Sequence, residues 1–191
     1  MAYGAVLVGH LQTSPHNARI GNYAVAAGDG VAIFMGDFVK TDGTTGSITV
    51  AGENMPAVVQ AAATDVIRGF VVGVDPILGV AIGSENLNRL YRPASVQMVL
   101  HVCDDPYAVI KIQSAASIAT TEVGENADIV VNAGSTASGL SGMQVSGTTG
   151  TSSAQLRILH VDAAPDNVVA ATNADIICLI NEHELKSVTG V

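Results

Sequence analysis

Phe70-Val71-Val72-Gly73-Val74 and Ile176-Ile177-Cys178-Leu179-Ile180 are the two stretches whose reading decides the fold. Both are short, continuous and rich in β-branched residues, a pattern that reads as strands covered on both faces. They are therefore expected at the centre of the core.

Working outward from them, alternation marks further strands. Val96, Met98, Leu100 and Val102 fall on one face of a segment. Ala108, Ile110 and Ile112 oppose Lys111 and Gln113, and Leu156 and Ile158 alternate with Gln155 and Arg157. Between these runs stand Gly28-Asp29-Gly30, Asp42-Gly43, Asp75-Pro76, Asp104-Asp105-Pro106 and Pro165-Asp166-Asn167, each placing Gly, Asn, Asp or Pro where the backbone must reverse. Many short strands with frequent turns predict an all-β, mainly β chain, folded as a compact barrel or sandwich. Asn54 as a cap, Pro56 in a first turn, an Ala-rich run from Val58 to Ile67 and Gly69 as a stop suit one short helix. That segment reads equally well as more of the β chain.

The chain has 191 residues, 48% of them hydrophobic, and a domain of this size buries roughly 70% of its unfolded surface. A single β-rich domain is expected over residues 19–191. Residues 1–18 lack a long apolar period and end in Ser14-Pro15-His16-Asn17, which predicts an extended N-terminal arm that grips a neighbour and can be removed from a folded domain. Residues 134–153 are nearly all Gly, Ser and Thr, and read as a long surface loop or hairpin.

Charge and cysteine usage narrow the function. The net charge is −9 with only eight Lys and Arg, so the field of the chain repels phosphate backbones and nucleic acid is not an expected partner. No window reaches the ~20 apolar residues of a membrane span, so no membrane partner is expected either. The absence of Lys or Arg before Arg19 removes the charged start of a secretory signal, and synthesis in a cytosol follows. Cys103 and Cys178 each sit in an apolar run and read as buried thiols. Charged residues make up only 13% of the chain and aromatic residues 4%, a sparsely charged surface that suits packing against other proteins.

The common catalytic patterns fail on spacing. Lys40, Lys111 and Lys186 follow Val, Ile and Leu rather than the Gly of a phosphate-binding loop, and Ile33 stands where Gly28-Asp29-Gly30 would need a third glycine. His183-Glu184 has Ser187 where the second His of a zinc-protease helix belongs. His101 and Cys103 share a strand face but lack a second ligand pair, and no G-x-S-x-G elbow presents a serine. No enzyme, metal or cofactor is expected. Asp104 and Asp105, in an Asp-Asp-Pro turn, read as caps for backbone amides, and Asn167, Asn181 and His183 as structural polar ties. Asn88, Arg89, Tyr91 and Arg92 form the densest polar and aromatic cluster. Arg and Tyr anchor protein interfaces, but the same groups equally well tie loops of one chain together.

An ordered series of short motifs carries a resemblance. Asn88, Tyr91-Arg92-Pro93-Ala94-Ser95, Asp104-Asp105-Pro106, Ile112-Gln113, Gly124 with Asn126-Ala127, Leu156-Arg157-Ile158-Leu159, Pro165-Asp166-Asn167 and Leu179-Ile180-Asn181-Glu182-His183 follow one another over roughly residues 65–185. Gly36-Asp37 with Val39 extends the series upstream. In this order they resemble tailed-bacteriophage capsid decoration (cement) proteins. The resemblance implies a β protein made in the bacterial host and added to the outer surface of the expanded capsid. There it would bind the major capsid protein and bridge capsomers as a homo-oligomer, a trimer being expected over a dimer. Tyr3, His10 and Pro15 of the arm, with Asn88, Arg89, Tyr91 and Arg92, are the expected interface residues. Another virion component (a head fibre, tail or baseplate module) or a glycan-binding module using the 134–153 loop fits the same composition.

Overall fold

A computed structural model describes residues 2–12, 18–77 and 88–186. Its main sheet has six antiparallel strands in the order β1 (Val6–His10), β11 (Ala108–Gln113), β15 (Asp175–Ile180), β14 (Leu156–Val161), β12 (Asn126–Val130) and β13 (Gln144–Gly150). A five-stranded antiparallel sheet stacks on it in the order β2 (Ile20–Val25), β10 (Met98–Cys103), β8 (Gly69–Val74), β4 (Phe38–Thr41) and β7 (Val58–Gln60). Two ribbons complete the set: β3 (Ile33–Phe34) with β9 (Tyr91–Arg92), and β5 (Ser47–Val50) with β6 (Glu53–Pro56). The architecture is a sandwich; neither sheet closes into a barrel, although each curls at one end, where Val145 meets Ser114 and Ala24 meets Ala57 in single parallel bridges.

The burial pattern follows the alternation. Along β11, Ala108, Ile110 and Ile112 are buried while Val109, Lys111 and Gln113 are half-buried. Ile110 and Ile112 join Ile158, Ile176, Cys178 and Ile180 of the same sheet, and Phe38, Phe70 and Cys103 of the other, in one inter-sheet core. Each fully buried Ile or Phe there contributes about 1.5–3 kcal/mol of transfer free energy. A second core of Tyr23, Val25, Val39, Val58, Val71, Leu100 and Val102 covers the opposite face of the five-stranded sheet. Two-sided cover explains why β8 and β10 read as near-continuous apolar runs.

Three expectations need correction. Residues 2–12 are not a detached arm: β1 pairs with β11 from Val6↔Lys111 to His10↔Ala108, Ala5 is buried, and Ala5 N–H donates to Gly36 O at 2.9 Å. The crossing there requires glycine twice. Gly4 and Gly36 both have positive φ, and a Cβ on Gly36 would lie 2.6 Å from the Tyr3 carbonyl oxygen. The segment proposed as a helix is extended instead. Met55 and Pro56 pair with Ile48 and Ser47, Val58 and Val59 pair with Thr41 and Lys40, and Ala62 turns back through its amide bond to Asp65. The only helical pieces among the described residues are single 3-10 turns at Thr120–Glu122 and Glu184–Lys186. The 134–153 stretch does supply one arm of a hairpin, because Gln144–Gly150 is the edge strand β13 antiparallel to β12, but it is not all surface: Ser141, Met143, Gln144 and Val145 are buried.

Candidate interaction surface

The polar residues that stand out in sequence are mostly tied into the fold. Arg92 is fully buried, so it is not an interface anchor. Its Nε donates to Val96 O at 2.7 Å and its Nη2 to Ala26 O and Asp29 O at 2.8 and 2.9 Å, while Nη1 donates to Val31 O. The Asp29 carboxylate lies 3.4 Å from the same guanidinium. One side chain therefore clamps the turn after β2 to the loop that leads into β10. Tyr91 is half-buried and stacks on Phe34, with ring centroids 4.9 Å apart. Asn88 is exposed and Arg89 half-buried.

Tyr3 and His10 likewise face inward. Tyr3 OH donates to Asp175 Oδ1 at 2.6 Å, and burial together with that carboxylate pushes the phenol pKa up. His10 Nε2 sits 3.1 Å from Asp105 Oδ2, and its ring meets Tyr107 edge-on. Pro15 lies outside the described residues.

Asp104 and Asp105 diverge, as adjacent residues of a turn should. Asp105 accepts the amides of Arg19 and Tyr107 at 3.2 and 2.9 Å. Burial would raise its pKa, but those amides and His10 hold the carboxyl below the usual range. Asp104 points the other way and is fully buried, with Oδ2 accepting Tyr23 OH at 2.6 Å and lying 3.0 Å from Arg19 and 3.6 Å from Arg68. Arg68 also donates from Nε to Tyr23 OH at 2.8 Å and approaches Glu184 at 3.7 Å, and Glu184 caps Thr41 through both carboxylate oxygens. This network joins β2, β4, β8 and the 3-10 turn after β15. Asn167 closes its own loop by donating to Asp162 O and Asp175 O and accepting the Asp175 amide; Asn181 donates to Ala154 O.

His183 is buried at 1% exposure, and its Nδ1 accepts the Leu185 amide at 3.1 Å. Burial, reinforced by the Lys186 and Arg68 charges, pushes its pKa down to about 4. The unfolded chain protonates this imidazole near pH 6.5, so the stability it confers is full above that value and is lost as pH falls towards 4. Between about pH 7.5 and about pH 4.5 the loss should reach roughly 2–3 kcal/mol. Urea melts at both values should show His183→Gln losing less stability over the interval than the parent. Asp37, whose pKa burial raises, works in the opposite direction in both proteins.

Sequence reasoning missed Gln155. It is fully buried at the start of β14, accepts the Ile129 amide and donates to Ala62 O and Asp65 O, bridging the two sheets. Cys103 and Cys178 are buried free thiols, and burial pushes Cys103 up to about 11. His101 bonds Asn22 and Asp75, away from Cys103. Among the described residues no three His, Cys, Asp or Glu side chains are grouped to hold a metal ion, and no helix is long and apolar enough to cross a membrane.

A groove of about 320 Å³ with a mainly apolar lining lies beside β1. Val6 and Leu7 form one wall; Ile20, Met35, Val72 and Leu140 stand among the residues that complete it. None of the lining residues is Asp, Glu, Lys or Arg. Val6 is 42% exposed and Ile20 54%, so the rim presents apolar side chains to solvent. Sequence reasoning missed this groove; the uncharged run Val6-Leu7-Val8-Gly9 and the apolar Ile20 are the signals that could have found it. No family model, no curated protein and no solved structure matches this chain.

Proposed function

We propose that this chain is a structural protein of a phage particle, a decoration protein that binds the outside of the expanded head as a symmetric oligomer and bridges capsomers. The observation that carries the reading is the division of labour among its residues. The polar groups that distinguish the sequence, Arg92, Asp104, Asn167, Asn181 and His183 among them, are engaged in bonds within the fold, while the groove beside β1 is uncharged and apolar at its rim. That is the arrangement of a rigid module which works by contact. The motif series over residues 65–185 supports the same reading, because its residues hold the turns and strand ends of a sandwich. Many weak contacts made by a repeated module add up through avidity to resist pressure from packaged DNA. A net charge of −9 suits the outer face better than contact with DNA.

The test is to add the purified protein to expanded empty heads of the phage that encodes it and to image the particles by cryo-EM. Copies on the order of hundreds per head, on the outer face, are expected from lattice-wide avidity. Density on the inner face, or a few copies confined to the tail, overturns the proposal.

A further inference from the structure

We infer that His183 is the catch of an acid-opened latch: protonating its ring releases the 3-10 turn Glu184–Lys186 from Thr41 and Ile67, while the two sheets stay folded. The turn hangs on this one imidazole. No residue of Glu184–Lys186 is buried and Leu185 is 43% exposed, whereas His183 just before them is 1% exposed. A segment with so little burial of its own opens at a lower free energy than the strands do. Its other ties are polar. The Leu185 amide donates to His183 Nδ1 at 3.1 Å, the Glu184 amide donates to Ile67 O at 2.9 Å, and the Glu184 carboxylate accepts from the amide and the hydroxyl of Thr41.

The chemistry of the ring sets the direction of the effect. Because Nδ1 accepts the Leu185 amide, the proton of the neutral ring is on Nε2, and that buried N–H has no hydrogen-bond partner. A second proton therefore goes to Nδ1. It destroys the Leu185 bond and leaves a buried cation with no acceptor at either nitrogen. Among the charges around the ring, Lys186 of the turn and Arg68 of the segment leading into β8 oppose protonation, and Asp105 of the β10–β11 turn favours it. Asp105 is already engaged by the amides of Arg19 and Tyr107 and by His10. Glu182 and Glu184, its neighbours in sequence, are turned to Ser153 and to Thr41. A recess of about 240 Å³, lined by His183 with Val66, Asn181, Glu182 and Lys186, adjoins the ring and admits water once the turn moves. In the open turn the imidazole protonates as in an unfolded chain, near pH 6.5, against about 4 in the closed one. Opening is therefore favoured as pH falls from 6.5 towards 4, and the latch is shut in neutral solution. The inference is independent of capsid decoration, and it adds to the global loss of stability a local event that precedes it.

Amide hydrogen exchange on the full chain, read by NMR and corrected for intrinsic rates, tests it. Between about pH 7.5 and about pH 4.5 the protection of the Leu185 amide should fall about 50–100-fold. At every pH it should exchange at least about tenfold faster than Ile110 in the centre of β11. His183→Gln, which keeps every carboxylate, should show little of this fall. In the parent alone, the 15N shifts of the His183 ring should titrate in step with the Leu185 amide. Leu185 protection that ignores pH, or that equals that of Ile110 throughout, overturns the latch. An equal fall in His183→Gln does the same, as does a ring that titrates while the Leu185 amide keeps its shift and protection. Head binding is scored separately and is touched by none of these outcomes.

Discussion

Replacing Arg92 by methionine should lower the stability of this protein by about 3–5 kcal/mol, although the new side chain is apolar and of similar length. Buried ion pairs are often replaceable by hydrophobic groups, because both charges can be removed together. Here they cannot. Three nitrogens of one guanidinium donate to four main-chain carbonyls, those of Ala26, Asp29, Val31 and Val96, and a carbonyl cannot be mutated away. Methionine would leave these acceptors without their donor and the Asp29 carboxylate without its cation. Arg92→Lys tests the geometry separately from the charge. An ammonium reaches fewer of four acceptors fixed in a plane, so lysine should recover less than half of the loss. Urea melts of the three proteins, compared at constant m-value, check this. A loss below about 1 kcal/mol for methionine, the worth of one ordinary hydrogen bond, would mean that water replaces the clamp.

Arg92 also shows where sequence reading stops. The strands were legible because burial alternates with a period of two, and β11 displays that period from Ala108 to Gln113. The central run Phe70–Val74 was legible because a core on each face leaves no room for polar residues; in Ile176–Ile180 one face sends Ile176, Cys178 and Ile180 into the core, and the other, which joins neither core, leaves Leu179 half-buried. Edge elements carry weaker marks. β13 is written in Gly, Ser and Thr because half of it needs no apolar partner, and β1 is too short and too exposed for its period to register. The Ala-rich stretch after Asn54 was ambiguous because alanine suits helices while Val58 and Val59 suit strands, and pairing with β4 decided between them. An Arg beside a Tyr looks the same on a surface and in a clamp. What separates the cases is the direction of carbonyls in the distant Ala26–Asp29 turn, which no local pattern reports. The uncharged groove was hidden for a related reason: its walls come from β1, β2, β8 and the loop at Leu140.

Asp104→Ala is expected to be as damaging as the loss of the arginine clamp, at about 3–5 kcal/mol, and it tests the other junction of the fold. Asp104 has no solvent contact, while Arg68 keeps 18% of its side chain exposed and Arg19 keeps 62%. Arg19 can therefore return to water at little cost. Arg68 cannot do so completely, and it retains only Glu184 at 3.7 Å and the Tyr23 hydroxyl. Tyr23 is the more sensitive reporter. Burial, followed by its bond to Asp104, pushes the phenol up to about 12, so it stays a proton donor under any ordinary condition. Without Asp104 that donor faces no acceptor, while its ring remains packed under Arg68 at 5.3 Å. Tyr23→Phe alone should therefore cost about 1–2 kcal/mol, and the same substitution in the Asp104→Ala background clearly less, because only the bond from Arg68 remains to be lost there, a coupling of about 1 kcal/mol. Asp104→Asn keeps an acceptor for Tyr23 and removes the charge, so it should fall between the parent and alanine. If the two substitutions are additive within about 0.5 kcal/mol, the hydroxyl and the carboxylate act independently. The junction of β2 with β8 is then held by apolar packing rather than by this network.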